Sequence, residues 1–291
     1  MLKQKGEMNF LHKFCDDTLN LQTLTANQFF GIWEHYDTDG NGFIEENELV
    51  EFLREFIDSV SSKDELQQIS DSEIENLKEM FLETYDTNKD GRIDIRELAQ
   101  LLPMEENFLL LFRFDNPLDS SVEFMKIWNE YDSDGSGFLE ANELKNFLRD
   151  LLRTTHRGQG VHEDQLIMYT DVMLQMFDSN KDGKLQLSEM SQLLPVKENF
   201  LTRQMFTGTN TITREDIEHV FALYDRDCNG YIENDELTGF LKDMLELIKK
   251  DYDCTDISDF YDTIMKGCDT NRDGRVSKKE LTMVLLAISQ I

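Results

Sequence analysis

A twelve-residue pattern that recurs along the chain constrains its fold more than any other feature. The pattern D-x-[DN]-x-[DN]-G-x5-E occurs five times, and a sixth copy departs from it only by carrying Ser136 at position 5. The six copies begin at residues 37, 86, 132, 178, 225 and 269, at intervals of 44 to 49 residues. A single match could arise by chance, but six in a near-regular array indicate a repeat architecture.

The segments around each copy have the apolar spacing of α-helices. An aromatic residue ends the preceding helical pattern in five repeats, and Cys268 takes that place in the sixth. Trp33 and Trp128 lie four residues before their loops, on the same predicted helix face as those aromatic residues, so we expect both in the core. The sequence therefore predicts an all-α fold of six helix–loop–helix units, here called hands and numbered 1 to 6.

The oxygen-bearing residues of the pattern suit calcium, a hard cation that takes six to eight oxygen ligands. Side chains at positions 1, 3 and 5, the carbonyl at position 7 and a bidentate Glu at position 12 can surround the ion, while Gly at position 6 permits a sharp turn. Chelation by both Glu oxygens favours calcium, whose coordination shell is larger than that of magnesium. We expect magnesium to compete with calcium for these sites. The sequence predicts up to six calcium sites.

Each predicted site uses four side chains and one backbone carbonyl. The predicted side-chain ligands are Asp37, Asp39, Asn41 and Glu48 in hand 1, Asp86, Asn88, Asp90 and Glu97 in hand 2, Asp132, Asp134, Ser136 and Glu143 in hand 3, Asp178, Asn180, Asp182 and Glu189 in hand 4, Asp225, Asp227, Asn229 and Glu236 in hand 5, and Asp269, Asn271, Asp273 and Glu280 in hand 6. The predicted carbonyl ligands belong to Phe43, Arg92, Phe138, Lys184, Tyr231 and Arg275. Every loop supplies three carboxylates, so we expect all six to bind.

Position 8 of every loop holds an apolar residue, which suggests that loops pair back to back. A short antiparallel strand pair between these positions would couple the two ion sites of a pair mechanically. The expected partners are Ile44 with Ile93, Leu139 with Leu185, and Ile232 with Val276.

A longer repeat groups the hands in twos. The tripeptide NFL precedes each odd-numbered hand, at 9–11, 107–109 and 199–201. Pro103 and Pro195 follow hands 2 and 4 and are expected to end their last helices. Residues 9–24 then form the lead-in of the first module rather than a disordered tail. The predicted domains are 1–106 with hands 1 and 2, 107–198 with hands 3 and 4, and 199–291 with hands 5 and 6.

The loops differ in charge although their ligand patterns agree. The formal charges of the six twelve-residue loops are −5, −1, −4, −1, −4 and +1 in chain order, because Lys and Arg stand between the ligands of the even loops. Such cations lower the negative potential that attracts calcium. We therefore expect the odd sites to fill first in each pair and hand 6 to be the weakest site, supported by hand 5 through Ile232 and Val276.

Composition narrows the classes of partner. The net charge of −30 makes nucleic acid and anionic membrane surfaces poor partners, and 20 Phe argue against a disordered acidic chain.

The four cysteines lack C-x-x-C spacing, which is typical of reduced thiols. Cys228, at position 4 of loop 5, is predicted to be the most oxidisable. Without a signal sequence, an ER-retention tail or a membrane-spanning stretch, the expected location is the cytoplasm, and the expected state is a monomer.

Two stretches resemble a known family. The segment ENFLLLFRFDNPLDSSVEFMKIWNEYDSDGSGFLEANELKNFLRDLL (106–152) is most similar to secretagogin, and DGKLQLSEMSQLLPVKENFL (182–201) is most similar to calretinin. The chain thus resembles the six-EF-hand proteins calbindin, calretinin and secretagogin over almost its whole length. The resemblance implies a cytosolic, all-helical protein that buffers calcium, and it leaves a signalling role open as an alternative. Vertebrate members carry one or more degenerate loops, whereas this chain carries none.

Three hypotheses about function follow. The first is a calcium buffer, supported by six competent loops and the acidic charge. The second is a sensor that exposes a Met-rich apolar surface to a target protein or an amphipathic helix. Its candidates are Met168, Met173, Met176, Met205, Met244 and Met265, with core packing as the alternative interpretation. The third hypothesis is an enzyme. The sequence contains no nucleophile elbow, phosphate loop or metal-binding His spacing that would support it. His156 and His162 flank a predicted linker, where we expect exposed side chains rather than a metal site.

Overall fold

The computed structural model describes residues 9–16, 20–60, 71–105, 108, 111, 117–155, 161–197, 213–249 and 251–288. Within these ranges the chain forms twelve α-helices, two for each hand. They are α1 Ala26–Tyr36, α2 Glu46–Val60, α3 Asp71–Tyr85, α4 Ile95–Leu101, α5 Ser121–Tyr131, α6 Ala141–Thr155, α7 Glu163–Phe177, α8 Leu187–Leu193, α9 Arg214–Tyr224, α10 Asp235–Ile248, α11 Cys254–Cys268 and α12 Lys278–Ile288. A 3-10 helix covers Phe10–Phe14. The all-α prediction is confirmed.

Side-chain caps mark where several helices begin. Thr25, Thr213 and Asp253 each accept a hydrogen bond from a backbone N–H of the first turn, while the third helical residue bonds back to the cap, forming a capping box. The helices of hands 2 and 4 end at Leu101 and Leu193, two residues before Pro103 and Pro195, as predicted.

The loops pair within each module as the apolar positions predict. Ile44 and Ile93 form an antiparallel bridge in the first pair. Strands β1 (Leu139–Glu140) and β2 (Lys184–Leu185) pair in the second, and β3 (Tyr231–Ile232) and β4 (Val276–Ser277) pair in the third. The register sets Leu139 opposite Leu185 and Ile232 opposite Val276. All six side chains are buried, so each pair of loops contributes its two position-8 residues to the core.

The predicted core residues are buried. Trp33 is 6% exposed and Trp128 is 2% exposed, so neither tryptophan is available to a ligand at the surface. Leu11 in the 3-10 helix is fully buried, and Asn9 donates to the carbonyl of Glu55 at 2.7 Å. The described part of 9–24 therefore packs on hand 1, as the lead-in prediction requires. Most of the NFL residues at 107–109 and all of those at 199–201 lie outside the described residues.

The chain divides into two units. The first consists of 1–114 and 152–172, and holds hands 1 and 2. In it, the ring of Phe108 lies between those of Phe29 and Tyr169, with centroid distances of 6.1 and 5.5 Å. Tyr169 also donates its hydroxyl to Glu105 at 3.0 Å. The aromatic contacts continue the core beyond the two hands.

The second unit consists of 115–151 and 173–291, and its most extensive helix contact joins α5 to α10. Gly239 allows the approach, because a methyl group there would lie 2.8 Å from the backbone nitrogen of Val122. The connection between hands 5 and 6 lies against hand 4, where the Ser188 N–H donates to the carbonyl of Tyr252 at 3.1 Å. Within this unit, hands 5 and 6 thus pack against the parts of hands 3 and 4 that belong to it.

The predicted boundaries between domains, after residues 106 and 198, fall outside the described residues, so the division into three domains stays a prediction. No helix within the described ranges combines the length and the apolar character that crossing a membrane requires.

Candidate metal centre

The Asp at position 1 closes every loop. One carboxylate oxygen accepts the N–H of the Gly at position 6, at 2.7 to 3.2 Å. The other oxygen accepts the N–H of position 5, at 2.9 to 3.3 Å. The six glycines have φ between 77 and 89°, a region that L side chains rarely adopt. The loop geometry therefore accounts for Gly at position 6.

Position 4 also lies in the left-handed region, which the sequence interpretation did not anticipate. The φ angle there is between 57 and 68° in all six loops. Gly40 and Gly135 adopt this conformation freely, but the other four loops place Lys89, Lys181, Cys228 and Arg272 there. In the sequence, the one sign of this conformation is the glycine at position 4 of hands 1 and 3.

The Glu at position 12 joins the two ends of each loop. Its Oε1 accepts the N–H of position 2 at 2.8 to 3.0 Å, and its Oε2 accepts the N–H of position 9 at 3.0 to 3.4 Å. Glu97, Glu189, Glu236 and Glu280 are buried. Each glutamate is thus held at its loop by hydrogen bonds to both of its carboxylate oxygens.

The side chains at positions 3 and 5 also bond to the loop backbone. The oxygen at position 3 accepts the N–H of position 5 at 2.9 to 3.1 Å, and the oxygen at position 5 accepts the N–H of position 7 at 2.8 to 3.4 Å. In hand 3, Ser136 additionally donates its hydroxyl to the carbonyl of Phe138 at 3.2 Å. The predicted ligands of each loop are therefore connected through its backbone.

The odd and even loops differ in how closely their acids gather. Among the described residues, three groups of acids have ligand atoms within 4.8 Å of one another, and all three belong to odd loops. They are Asp37, Asp39 and Glu48; Asp132, Asp134 and Glu143; and Asp225, Asp227 and Glu236. The even loops replace the acid at position 3 by Asn88, Asn180 and Asn271. Such clusters of carboxylates suit a hard cation.

Burial alters the titration of several predicted ligands. It raises the pKa of Glu97 and of Glu189 above the ordinary value, against the hydrogen bonds from their loop backbones, which lower it. It also raises the pKa of Asp37. In hand 6 burial also acts to raise the pKa of Glu280, but hydrogen bonds from Ser277 and Thr270 outweigh it and lower that pKa. A carboxylate whose charged form is disfavoured by burial gains most from a nearby cation.

A tyrosine links the two helices of each odd hand. Tyr36 donates its hydroxyl to Glu55 at 2.9 Å, and Tyr131 donates to Asp150 at 3.3 Å. Tyr224 donates to Asp243 at 2.5 Å. The acid lies 19 residues after the tyrosine in every case, a regularity visible in the sequence that the loop pattern does not include. Each hydrogen bond thus joins the two helices that flank an odd loop.

In hand 5 the acid that accepts the tyrosine hydroxyl, Asp243, belongs to a buried cluster of polar side chains. Asp243 is 4% exposed and also accepts the hydroxyl of Ser121 at 2.5 Å, while Lys242 is 1% exposed and pairs with Glu246. Burial raises the pKa of Asp243 to about 6, although the neighbouring Lys242 lowers it. The cluster connects hand 3 with hand 5 within the second unit.

The comparisons with known proteins agree with this geometry. The family model described as an EF-hand domain pair matches residues 27–103, 122–194 and 214–284. Calbindin-32 of Drosophila melanogaster is 62% identical over 97% of this chain and 92% of its own length.

Two human proteins are also similar. Calretinin of Homo sapiens is 45% identical over 92% of this chain and 94% of its own length, and secretagogin of Homo sapiens is 42% identical over 91% and 95%. Three matches to the family model and identities above 40% over nearly the whole chain identify the family. The chain is therefore a calcium-binding EF-hand protein that belongs to the family of calbindin, calretinin and secretagogin.

Proposed function

We propose that the chain is primarily a cytoplasmic calcium buffer with six working sites. The observation that supports this most directly is the agreement among loops: all six hold the acids at positions 1 and 12 with the same set of backbone hydrogen bonds. In this proposal the thirty residues predicted as ligands keep their roles, the carbonyls at position 7 included. A buffer gains capacity from every loop that binds, and none of the six lacks an acid at position 1 or 12.

Charge supports the same role. Binding six calcium ions would bring the net charge of −30 to −18, so the loaded protein keeps enough charge to remain dispersed. We include no catalytic step in the proposal, and we assign the chain to the monomeric state. We also propose that magnesium competes with calcium, because some of the same oxygen ligands can take part in its six-coordinate shell.

The number of ions tests the buffer proposal. Native mass spectrometry of the protein in excess calcium should show six bound ions, and calorimetric titration with and without millimolar magnesium should show sites whose apparent affinity falls when magnesium is present. A plateau at four ions would contradict the proposal. The single variants Glu48→Gln and Glu97→Gln serve as internal standards, because each should lower the count by one.

A sensor role is the second candidate, and exposed apolar side chains favour it. Met80 is 63% exposed, Ile248 is 66% exposed, and Met283 and Leu286 are 42% and 44% exposed on α12. By contrast, Met173 and Met244 are fully buried, which supports the core interpretation for these two methionines. Met205 lies outside the described residues. A hydrophobic dye that brightens on calcium loading would favour a sensor, and an unchanged signal would leave the buffer role alone.

A further inference from the structure

A cation of the even loop reaches the odd loop in all three pairs. Arg92 lies with its Nε 3.5 Å from an Oε of Glu45, and Arg275 lies with its Nε 3.4 Å from an Oε of Glu233. The Nζ of Lys184 is 3.0 Å from an Oε of Glu140. In each case the cation is at position 7 of the even loop and the acid is at position 9 of the odd loop.

The same cations contact an aromatic ring of the odd loop. The distance from Arg92 Cζ to the ring centroid of Phe43 is 4.0 Å, and the distance from Arg275 Cζ to that of Tyr231 is 5.0 Å. For Lys184 Nζ and Phe138 it is 5.4 Å. These rings occupy position 7 of the odd loops, so ring and acid together hold the cation at the odd loop. The contact recurs in three pairs of different sequence, which argues against an accidental surface ion pair.

The acid at position 9 is connected to the predicted ligands of the odd loop. In hand 1 the other Oε of Glu45 accepts the side-chain amide of Asn41 at 3.3 Å, and in hand 5 Glu233 accepts that of Asn229 at 3.0 Å. Both asparagines stand at position 5. The acid at position 9 of such a loop commonly reaches calcium through a water molecule. A cation on this acid therefore acts on the ligand set of the odd site.

Arg92 also touches its own loop, since its Nη2 lies 3.7 Å from an Oδ of Asp90, a predicted ligand of hand 2. One side chain thus connects the ligand sets of both sites in the first pair.

From this geometry we propose that the cation at position 7 of each even loop sets the calcium affinity of the odd site in the same pair. It is a positioning residue: it holds the position-9 acid of the odd loop and competes with calcium for that acid's charge. The inference rests on the proposed sites, and it concerns Arg92, Lys184 and Arg275. Removing the cation should strengthen the odd site and remove part of the coupling between the paired sites.

The test uses Arg92→Gln in the full-length protein, with Lys89→Gln as the matched control. Lys89 belongs to the same loop and carries the same charge, at position 4. Amide resonances of Gly42 and Gly91 report sites 1 and 2 separately during a calcium titration. Arg92→Gln should raise the affinity of site 1 about fivefold, as expected for one unit charge near a surface site. Lys89→Gln should change it by less than about twofold.

A double-mutant cycle separates the contact from a general charge effect. In a Glu45→Gln background, Arg92→Gln should change site 1 by less than about twofold, because the acid that the arginine holds is gone. The thermal unfolding midpoint of the calcium-free protein should show non-additivity for the same two substitutions. An affinity of site 1 unchanged by Arg92→Gln, or an increase that persists in the Glu45→Gln background, would overturn the inference. If the wild-type Gly42 and Gly91 resonances did not move with calcium, the proposed sites themselves would fail.

Discussion

Hands 1, 3 and 5 carry their third ligand carboxylate at position 3, whereas hands 2, 4 and 6 carry it at position 5 and place Asn at position 3. The odd arrangement gathers three acids within 4.8 Å, a grouping that the described even loops do not form. The even loops supply the cations that contact the odd loops. Each pair thus joins an acidic odd loop to an even loop of nearly balanced charge, whose cation contacts the acid of the odd loop. The two loops nevertheless have the same backbone hydrogen bonds.

The largest effect should come from removing the Glu at position 12, since it holds both ends of the loop in odd and even hands alike. We expect Glu236→Gln and Glu280→Gln each to weaken its own site about a hundredfold or more, because a bidentate charged ligand is lost. Native mass spectrometry at a calcium concentration just sufficient to saturate the wild type should count one ion fewer for each variant. Equal ion counts in the variant and the wild type would show that the geometry at position 12 does not decide binding.

The next largest effect concerns the tyrosine links of the odd hands, which hands 4 and 6 lack because Phe177 and Cys268 replace the tyrosine. Asp243 in hand 5 has a pKa of about 6, above the ordinary value of about 3.9, because it is buried. The folded protein therefore holds this proton between pH 4 and 6 while the unfolded chain releases it. Stability from this group is fully present below about pH 4 and is lost as the pH rises through 6.

Asp243→Asn should remove that loss, which amounts to about 3 kcal/mol of unfolding free energy between pH 4 and 7. Urea unfolding of both proteins at several pH values and one calcium concentration measures the difference. The control is Asp150→Asn in hand 3, whose half-exposed acid makes the corresponding tyrosine contact. A wild-type profile parallel to that of Asp243→Asn would contradict the assignment.

Exchanging the residue at position 3 would test the charge difference itself. Asn271→Asp gives hand 6 the acid that hand 5 has, and Asp227→Asn takes it from hand 5. We expect about a tenfold gain at site 6 and about a tenfold loss at site 5, because each change alters one unit charge close to the ion. The amide resonances of Gly274 and Gly230 follow the two sites. Opposite or absent changes would leave the odd and even difference without an electrostatic basis.

A smaller contrast concerns the thiols of the third pair. Cys228 is exposed in loop 5, whereas burial raises the pKa of Cys268, beside loop 6, and raises the pKa of Cys254 to about 11. Alkylation at pH 8 followed by peptide mapping should find Cys228 modified first, several times faster than the others. Calcium should change its rate, since it is part of the loop. Earlier labelling of Cys254 would count against this.

The repeat made much of the fold predictable. Six Gly and six Glu at fixed positions specified the loops, and the apolar residues at position 8 specified which loops pair. Trp33 and Trp128 were predicted in the core because they share a helix face with the aromatic residue before the loop. These predictions succeeded because each depends on contacts within one hand or between two hands of a pair.

Contacts between hands of different pairs were not predictable in the same way. Lys242 and Asp243 look like solvent-facing residues of an amphipathic helix, yet both are buried where α10 meets α5. Gly239 inside an apolar helix was the available signal, since glycine there permits close approach of another backbone. The cation at position 7 was assigned only a backbone role, because the loop pattern carries no information about what its side chain touches.

The order in which calcium fills the six sites shows whether loop charge ranks sites that share the same geometry. A calcium titration of the full-length protein, followed through the amide resonances of the six position-6 glycines, reads every site in one experiment. We predict that Gly42, Gly137 and Gly230 shift before their partners Gly91, Gly183 and Gly274, and that Gly274 shifts last, because the cross-loop cations reduce the charge difference between odd and even loops without reversing it. If Gly274 moved with or before Gly230, the claim that charge orders sites of equal geometry would be wrong.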